Sequence, residues 1–493
     1  MMRVLVANRG EIAVRIMRGC RELGYESVAV YSTADKESLH TRYADNSVHL
    51  GDTPAKDSYL NAEKIIQAAV DSKASAIHPG YGFLSESAAF AKKVEEAGLV
   101  FIGPSSKTLA LTGDKLAARK IAREAGLPVL PGPDEAIVDV IPPSLFDRMS
   151  YPVLIKAVSG GGGRGIRLAN NEEELEIMVQ DARREAQASF GDDTVYLEPL
   201  VQQARHIEIQ ILGDGDGNII CLGERECSIQ RRRQKLIEEA PAPNLSSETR
   251  SKLYAAAINL AKVLKYRSLG TVEFLLDEKE DFYFIEVNPR IQVEHPVTEM
   301  VTGIDLVAAQ LNLAAGKPLT LSQETITIRG SAIEVRIIAE DPENGFLPSV
   351  GEITYLKEPG GPGVRVDSAL FTGIQITPDY DSLLSKIIVW AEDRHLAIRR
   401  MTRALMEYQI GGIPSDIEFL RQIIDSEIFN QGNQNTTYLD TFQPVSSADE
   451  SEILEMALAA ALLEHQQYEK PKNNRSFQDG GFWRYHAWKE QMR

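Results

Sequence analysis

Cysteine is scarce in this 493-residue chain. Cys20, Cys221 and Cys227 form no paired framework and have no metal-ligand spacing, which excludes a disulfide-stapled fold and favours a reducing compartment, the cytoplasm. No apolar run approaches the ~20 residues needed to span a bilayer, so no membrane partner is expected. The N-terminus, MMRVLVANRG, enters a strand without a charged-then-apolar leader. Excess positive charge is also missing: the net charge of −18 excludes a nucleic-acid surface as the main feature, because phosphate backbones are held by surplus Lys and Arg. No helix-opening GxGxxG follows the first strand, which counts against a dinucleotide oxidoreductase. No Ser/His/Asp order and no cysteine-nucleophile context is present, nor any internal repeat or low-complexity tract.

What is present is an ordinary globular composition, 43% hydrophobic and 25% charged, at a length that suggests about three domains. Val4–Ala7 reads as a strand, Ile12 to Leu23 as a helix ending at Gly24, and Ser27–Tyr31 as a second strand, a βαβ unit that implies a parallel sheet. Helices at 61–71 and 85–97 and strands at 74–78 and 100–102 extend it into a doubly wound α/β domain. The HPGYGFLSE loop follows one of its strands, where ligands bind in open α/β sheets; a tight Gly/Pro loop is the competing explanation.

A linking helix at 115–125 leads to the strand Pro152–Ala157, the run Ser159–Gly165, the strand Ile166–Leu168, the helix 172–189 and the strand 195–197. The glycine run lies between strands and matches neither the dinucleotide nor the Walker pattern. Its bare N–H groups suit phosphates, with Lys156 beside it as a point charge, although a flexible loop without a ligand would look the same. Long strands follow at 206–212 and 219–223, then the polar run 224–233, the helix 248–264, a helix at 304–315, a strand at 326–339, antiparallel segments to Trp390 and helices at 396–408 and 417–425. After Pro444 come an Ala/Leu-rich helix at 453–464, a polar linker and an aromatic end holding Trp483 and Trp488.

The chemistry concentrates in Thr271–Glu299, TVEFLLDEKEDFYFIEVNPRIQVEHPVTE. Isolated carboxylates in apolar strands cost several kcal/mol unless compensated. Side chains at i and i+2 share a strand face, so Glu286 and Asn288 point the same way and Glu273 on a neighbouring strand can join them, with Asp277–Asp281 as the hairpin turn. Such hard oxygen donors suit Mg²⁺ bridging to phosphates; a solvated edge strand is the alternative. With Lys115, Lys156 and the glycine loop in the same chain, these are the parts of a phosphoryl-transfer site.

The succession ANRGEIA, HPGYGFLSE, GDK, IKA-SGGGGRG, RHIEIQ, CSIQRRRQK, EEAPAP, TVEF, FIEVNPRIQVEHPVTE, EVRIIAED, FLPS-G and YDSLLSK resembles the biotin carboxylase component of biotin-dependent carboxylases, members of the ATP-grasp superfamily. The resemblance runs from about Arg3 to about Leu439. It implies an α/β fold with a Rossmann-like N-terminal domain at 1–112, a linker helix and ATP-grasp lid at 113–203, an ATP-grasp core at 204–330 and a C-terminal α+β subdomain at 331–443. Residues 444–493 would then be a helical tail and a possible partner-docking segment.

For function, the resemblance implies that ATP phosphorylates bicarbonate to carboxyphosphate, which yields CO₂ for carboxylation of biotin N1′. ATP and Mg²⁺, or Mn²⁺ in its place, are the implied cofactors. Lys115, Lys156, Glu198, His206 and Gln230 are the implied nucleotide contacts, with the flap residues Gly161, Gly162, Gly163 and Gly165. Glu273, Glu286 and Asn288 are the implied metal ligands. Arg290, Gln292, Val293 through its backbone, and Lys235 form the implied bicarbonate pocket, Glu294 the base and Arg336 the cation for the biotin enolate. A structural ion pair between Glu294 and Arg336 is the competing explanation. Position 233 departs from the family, with Arg233 in place of its usual histidine.

No biotinyl-acceptor motif or carboxyltransferase-length extension is found, so biotin is expected in trans on a biotin carboxyl carrier protein, with carboxyltransferase chains as further partners. A homodimer is expected through the N-terminal domain, where Arg15 lies. The alternative activity is another ATP-grasp carboxylate–amine ligase.

Overall fold

The computed structural model describes residues 2–132, 136–137, 151–158, 166–445, 458–462 and 465. The chain divides into two compact units, Met1–Gln443 and Pro444–Arg493. Of the second, residues 458–462 are helical; the remainder of the helix expected at 453–464 lies outside the described residues.

The opening strands carry unbroken apolar runs and are buried on both faces, as parallel strands are. Arg3–Val6 pairs in parallel with Glu26–Ser32 on one side and Ala76–His78 on the other. The full order is Asn46–Gly51, Glu26–Ser32, Arg3–Val6, Ala76–His78, Val100–Phe101. Helix Gly10–Glu22 turns Ile12, Ile16 and Met17 inward with Leu306, Val307 and Leu311. Ile65, Phe90 and Val94 fill the opposite face. This is the doubly wound N-terminal layer that the βαβ spacing implies.

Four elements differ from expectation at their ends or in their existence. The helix expected over 85–97 begins at Ala88 because Ser87 caps it, accepting from the Phe90 N–H. The strand expected from 326 begins at Ser331, after Gly330 with φ +67°. Helices Ser106–Gly113 and His295–Thr302 have no counterpart in the sequence pattern; each is only eight residues long, too short for a periodic signal to emerge.

A three-stranded antiparallel sheet, Ile166–Ala169, Val153–Ala157 and Val195–Pro199, carries the helix Glu172–Phe190. Asn171 caps that helix through the Glu174 N–H, three glutamates occupy its first turn, and Gly191 ends it in the left-handed region. The glycine run 159–165, with Gly161, Gly162, Gly163 and Gly165, lies outside the described residues.

The site rests on an eight-stranded antiparallel sheet: Phe282–Asn288, Arg267–Leu276, Arg205–Asp214, Ile219–Arg231, Gln234–Ala240, Ser331–Ile338, Leu383–Ala391 and Val364–Ser368, in that order. The sheet is continuous across position 330 through the pairing of Glu238 with Glu334. The strand expected to stop at Gly223 runs on to Arg231. Its polar segment is not a loop: Glu224, Arg225 and Glu226 are all buried. Helix Ser247–Val263 packs Leu253, Ala257 and Leu260 over one face of the sheet, against Ile207, Ile209, Phe274 and Phe284. Among the described residues no helix is long and apolar enough to cross a membrane.

Phe274 is wholly buried and makes edge-on contacts with Phe282 and Phe284. Phe274→Ala is expected to destabilise the main unit by about 3–5 kcal/mol, read as a lowered thermal unfolding midpoint; an unchanged midpoint would show that this core is not what holds the sheet.

Candidate active site

Antiparallel register lines up acidic side chains across strands. Glu286 stands opposite Glu273, Glu273 opposite Glu208, and Glu208 opposite Arg225. Three carboxylates in adjacent positions repel one another, and Glu208 and Glu273 are buried, so cations must hold them. Lys235 does so at the centre. Its Nζ donates to Glu208, to Glu273 Oε1 at 2.9 Å and to Glu294 Oε1 at 2.9 Å. Lys235 pairs with Gln230 beside a register shift in the strand pairing, and it meets the same Glu294 that Arg336 meets.

Arg336 Nη2 donates to Glu294 Oε2 at 3.0 Å, and its Nε to Glu238 Oε1 at 2.6 Å. Arg225, fully buried, reaches Glu208 at 2.9 Å, Gln210 at 2.7 Å, Thr271 and Thr298 at 3.0 Å each, and Gln292 Oε1 at 2.7 Å. The Gln292 amide is thereby oriented, with its Nε2 donating to Glu273 Oε1 at 3.0 Å.

Burial would push Glu294 up, but Lys235, Arg336 and Arg225 outweigh it and hold the carboxyl well below the usual range. Glu273 is likewise held well below by Lys235 and His206 against its burial. Glu208 goes the other way: burial and the Glu294 charge push it up to about 7. His206 Nε2 lies 3.0 Å from Glu273 Oε2, and its Nδ1 faces the Gln230 amide at 3.0 Å. The ring is raised from its ordinary value because Glu273 prevails over desolvation.

A second cluster adjoins the first. Lys156 and Arg119 both hold Glu198, which together they keep below the ordinary carboxylate value despite its burial. Lys115, at the start of helix Lys115–Glu124, lies 4.0 Å from Glu286. Burial and the nearby Glu273 push Glu286 up despite Lys115. Asn288 donates to Glu273 Oε1 at 2.8 Å and accepts from Arg290 at 3.1 Å, and Arg290 is tied to Glu86 of the N-terminal layer. Glu286, with a single ion pair of 4.0 Å among the described residues, is the undercompensated member of an all-oxygen donor set, which fits a hard divalent cation.

The side chains expected to contact nucleotide, metal, bicarbonate and biotin, that is Lys115, Lys156, Glu198, His206, Gln230, Lys235, Glu273, Glu286, Asn288, Arg290, Gln292, Glu294 and Arg336, fall into these two adjoining clusters. Sequence reasoning missed Glu208, Arg225, Glu238 and Arg119. The alternation of charge with apolar residues in RHIEIQI was the available signal for Glu208. Arg225 was hidden in a polar run that does not look like a strand. Arg233 sits at a two-residue turn with φ +67°, beside Arg232 at +49°, with its side chain exposed. Arg15 is spent within the chain, on Glu299 at 2.8 Å and Asp305 at 2.7 Å, and at 7% exposure it offers no surface for a partner copy.

Comparison with known proteins gives three consecutive matches: residues 1–109 to the biotin carboxylase N-terminal domain, 114–322 to the carbamoyl-phosphate synthase L chain ATP binding domain, and 334–441 to the biotin carboxylase C-terminal domain. The chain is 50% identical to a biotin carboxylase of Nostoc sp., covering 89% of this chain and 98% of the relative. Among solved structures, the biotin carboxylase of Campylobacter jejuni superposes with a TM-score of 0.87 at 45% identity, over 89% of this chain and 98% of that one. The biotin carboxylase domain dimer of the Hydrogenobacter thermophilus 2-oxoglutarate carboxylase, solved with MgADP, ADP and bicarbonate, gives 0.86 at 47%, over 89% and 97%. The biotin carboxylase subunit of a pyruvate carboxylase gives 0.76 at 47%, over 89% and 98%.

Removing Arg225 would leave Glu208 with Lys235 as its only remaining cation among the hydrogen bonds above and would leave Gln292 Oε1 without its buried donor. Arg225→Met is expected to cost about 3–5 kcal/mol, seen as a lower unfolding midpoint, and adding Glu208→Gln is expected to restore part of it. Equal midpoints for the single and double variants would rule out the charge as the cause.

Proposed function

The chain belongs to the biotin carboxylase family, and from that membership we propose that it couples ATP cleavage to the carboxylation of biotin in the following way. The observation that carries the proposal is the double hold on Glu294, by Lys235 on one oxygen and Arg336 on the other.

Glu294 is charged at neutral pH and takes the proton of bicarbonate. A carboxylate held this low is a weak base alone. Lys235 beside it also stabilises the carbonate that forms, so the proton passes between two oxygens under the same cation. Arg290 and Gln292 orient the anion, and Lys115 and Lys156, with His206, Gln230 and Glu198, hold the nucleotide. Glu273, Glu286 and Asn288 would hold Mg²⁺, whose chemistry there is to neutralise phosphate charge. Carboxyphosphate forms by attack of carbonate oxygen on the γ-phosphorus with ADP leaving, and then breaks to CO₂ and phosphate. Arg336, fixed by Glu238, meets the enolate oxygen that develops when biotin N1′ gives its proton to the phosphate released from carboxyphosphate and attacks CO₂.

Biotin is proposed to arrive on a carrier chain, with a carboxyltransferase chain as the second partner. A similar structure that is itself one subunit of a pyruvate carboxylase supports a multi-chain assembly. The dimeric Hydrogenobacter domain supports self-association. Residues 444–493 are proposed as the docking segment, since the matched family domains account for the chain only as far as residue 441.

The test is ADP release measured with bicarbonate and free biotin each varied. Dependence on both is expected; ADP release supported by an amine in place of biotin would favour the carboxylate–amine ligase. Arg336→Ala is expected to lower the biotin-dependent rate by about 10²–10³ while leaving nucleotide binding intact, and a variant with undiminished biotin dependence would remove the enolate role. A chain ending at Gln443 is expected to keep its activity on free biotin and to lose native partners in copurification; retention of those partners would assign docking to the main unit.

A further inference from the structure

The lysine of the YDSLLSK motif has no part in the reading above, yet it is buried directly behind the segment that carries the base. Lys386 lies on strand Leu383–Ala391 with 0% exposure. It stands opposite Arg336 on one neighbouring strand and Asp367 on the other, so all three share one face of the sheet. Its Nζ donates to the Val293 carbonyl at 2.7 Å and lies 3.3 Å from Glu11 and 3.9 Å from Asp367. Despite its desolvation the group remains charged, because Glu11, Glu334 and Asp367 surround it.

The preceding carbonyl is anchored in the same manner. His295 Nδ1 lies 2.8 Å from the Gln292 carbonyl. Burial, together with Lys386, Arg15 and Arg365, keeps this ring neutral, so its one N–H is the donor to that carbonyl.

These two anchors have a consequence for the N–H groups that follow. A trans peptide is planar, with C=O and the next N–H pointing in opposite directions. Fixing the Gln292 oxygen from behind turns the Val293 N–H to the other side, and fixing the Val293 oxygen turns the Glu294 N–H likewise. Neither N–H has a hydrogen-bond partner among the described residues. A buried ammonium on one carbonyl also polarises its peptide and makes the attached N–H a stronger donor.

The family resemblance already implies a bicarbonate contact through the Val293 backbone; we infer that Lys386 and His295 are the positioning residues that aim this N–H, and the Glu294 N–H beside it, at the substrate oxyanion as a two-donor cradle. This rests on the bicarbonate reading above. A mere strut under the loop would influence stability and all substrates alike. A positioning pair acts on the anion selectively.

Lys386→Met alone would strand the Glu11 charge, so the informative variant is Lys386→Met with Glu11→Gln, which removes one charge of each sign and preserves an acceptor for the Tyr81 hydroxyl that contacts Glu11. Steady-state ATP cleavage is measured against bicarbonate and against ATP, with ADP binding followed by calorimetry. The KM for bicarbonate is expected to rise about tenfold or more, with the KM for ATP and the affinity for ADP unchanged. A parallel rise in both KM values, or none, overturns the inference.

Independently, wild-type protein with ¹⁵N-valine is titrated with bicarbonate in the presence of MgADP. The Val293 amide resonance is expected to shift with saturation, and a stationary resonance overturns the cradle. If wild-type ATP cleavage shows no dependence on bicarbonate, the parent reading fails. If that dependence is present and the variant's bicarbonate KM does not move, only this inference does.

Discussion

One ammonium among three carboxylates governs this structure. Lys235 faces Glu208, Glu273 and Glu294 in a place that water hardly reaches. Each carboxylate there would on its own be driven toward its protonated form by desolvation and by its neighbours. Because one lysine cannot neutralise three acids, the rest of the charge comes from Arg225 and Arg336, and the imbalance appears as a division of labour. Glu273 and Glu294 are held low while Glu208 is pushed up to about 7. Carboxylates with different proton affinities within one cluster are what an acid–base site requires.

That cluster exists only where separate parts of the main unit meet. The eight-stranded sheet supplies the row Glu286, Glu273, Glu208, Arg225 by register alone. Arg336 and Lys386 come from strands beyond position 330, and Glu86 and Glu11 from the parallel N-terminal layer. Arg290 is joined to Glu86 and Lys386 to Glu11, so the segment 290–294 is braced from both sides. A site assembled in this way cannot be tuned one domain at a time: the ion pairs that shape it are also the ion pairs that join the layers.

How much of this was legible in the sequence depended on whether a residue's role follows from local period. Glu286 and Asn288 share a face by strand alternation, and Glu273 joins them across a hairpin whose turn is visible as five charged residues. Those placements needed no tertiary information. Arg225 did need it. Its neighbours Glu224 and Glu226 make the stretch look like a surface loop, and only the pairing with strand Arg205–Asp214 turns it into a buried hub. Helix His295–Thr302 was hidden by its length of eight residues, and its proline falls in the first turn, where the lost N–H has no intrahelical partner. Motif resemblance brought in Lys235 and Arg336, whose meeting at Glu294 depends on strands far apart in sequence.

The contact between Glu294 and Arg336 is the point at which a structural and a catalytic reading compete, since a buried ion pair needs no function to exist. The distinction lies in how many partners each group has. A pair that serves only stability is closed: removing either member strands the other, at a cost of about 3–5 kcal/mol. Here Arg336 divides its hold between Glu238 and Glu294, and Glu294 divides its charge between Arg336 and Lys235. Either group can release one partner to an incoming anion and keep another. The exchange leaves no bare buried charge, so the contacts that hold this cluster together can be traded for an anion without destabilising the sheet that carries them.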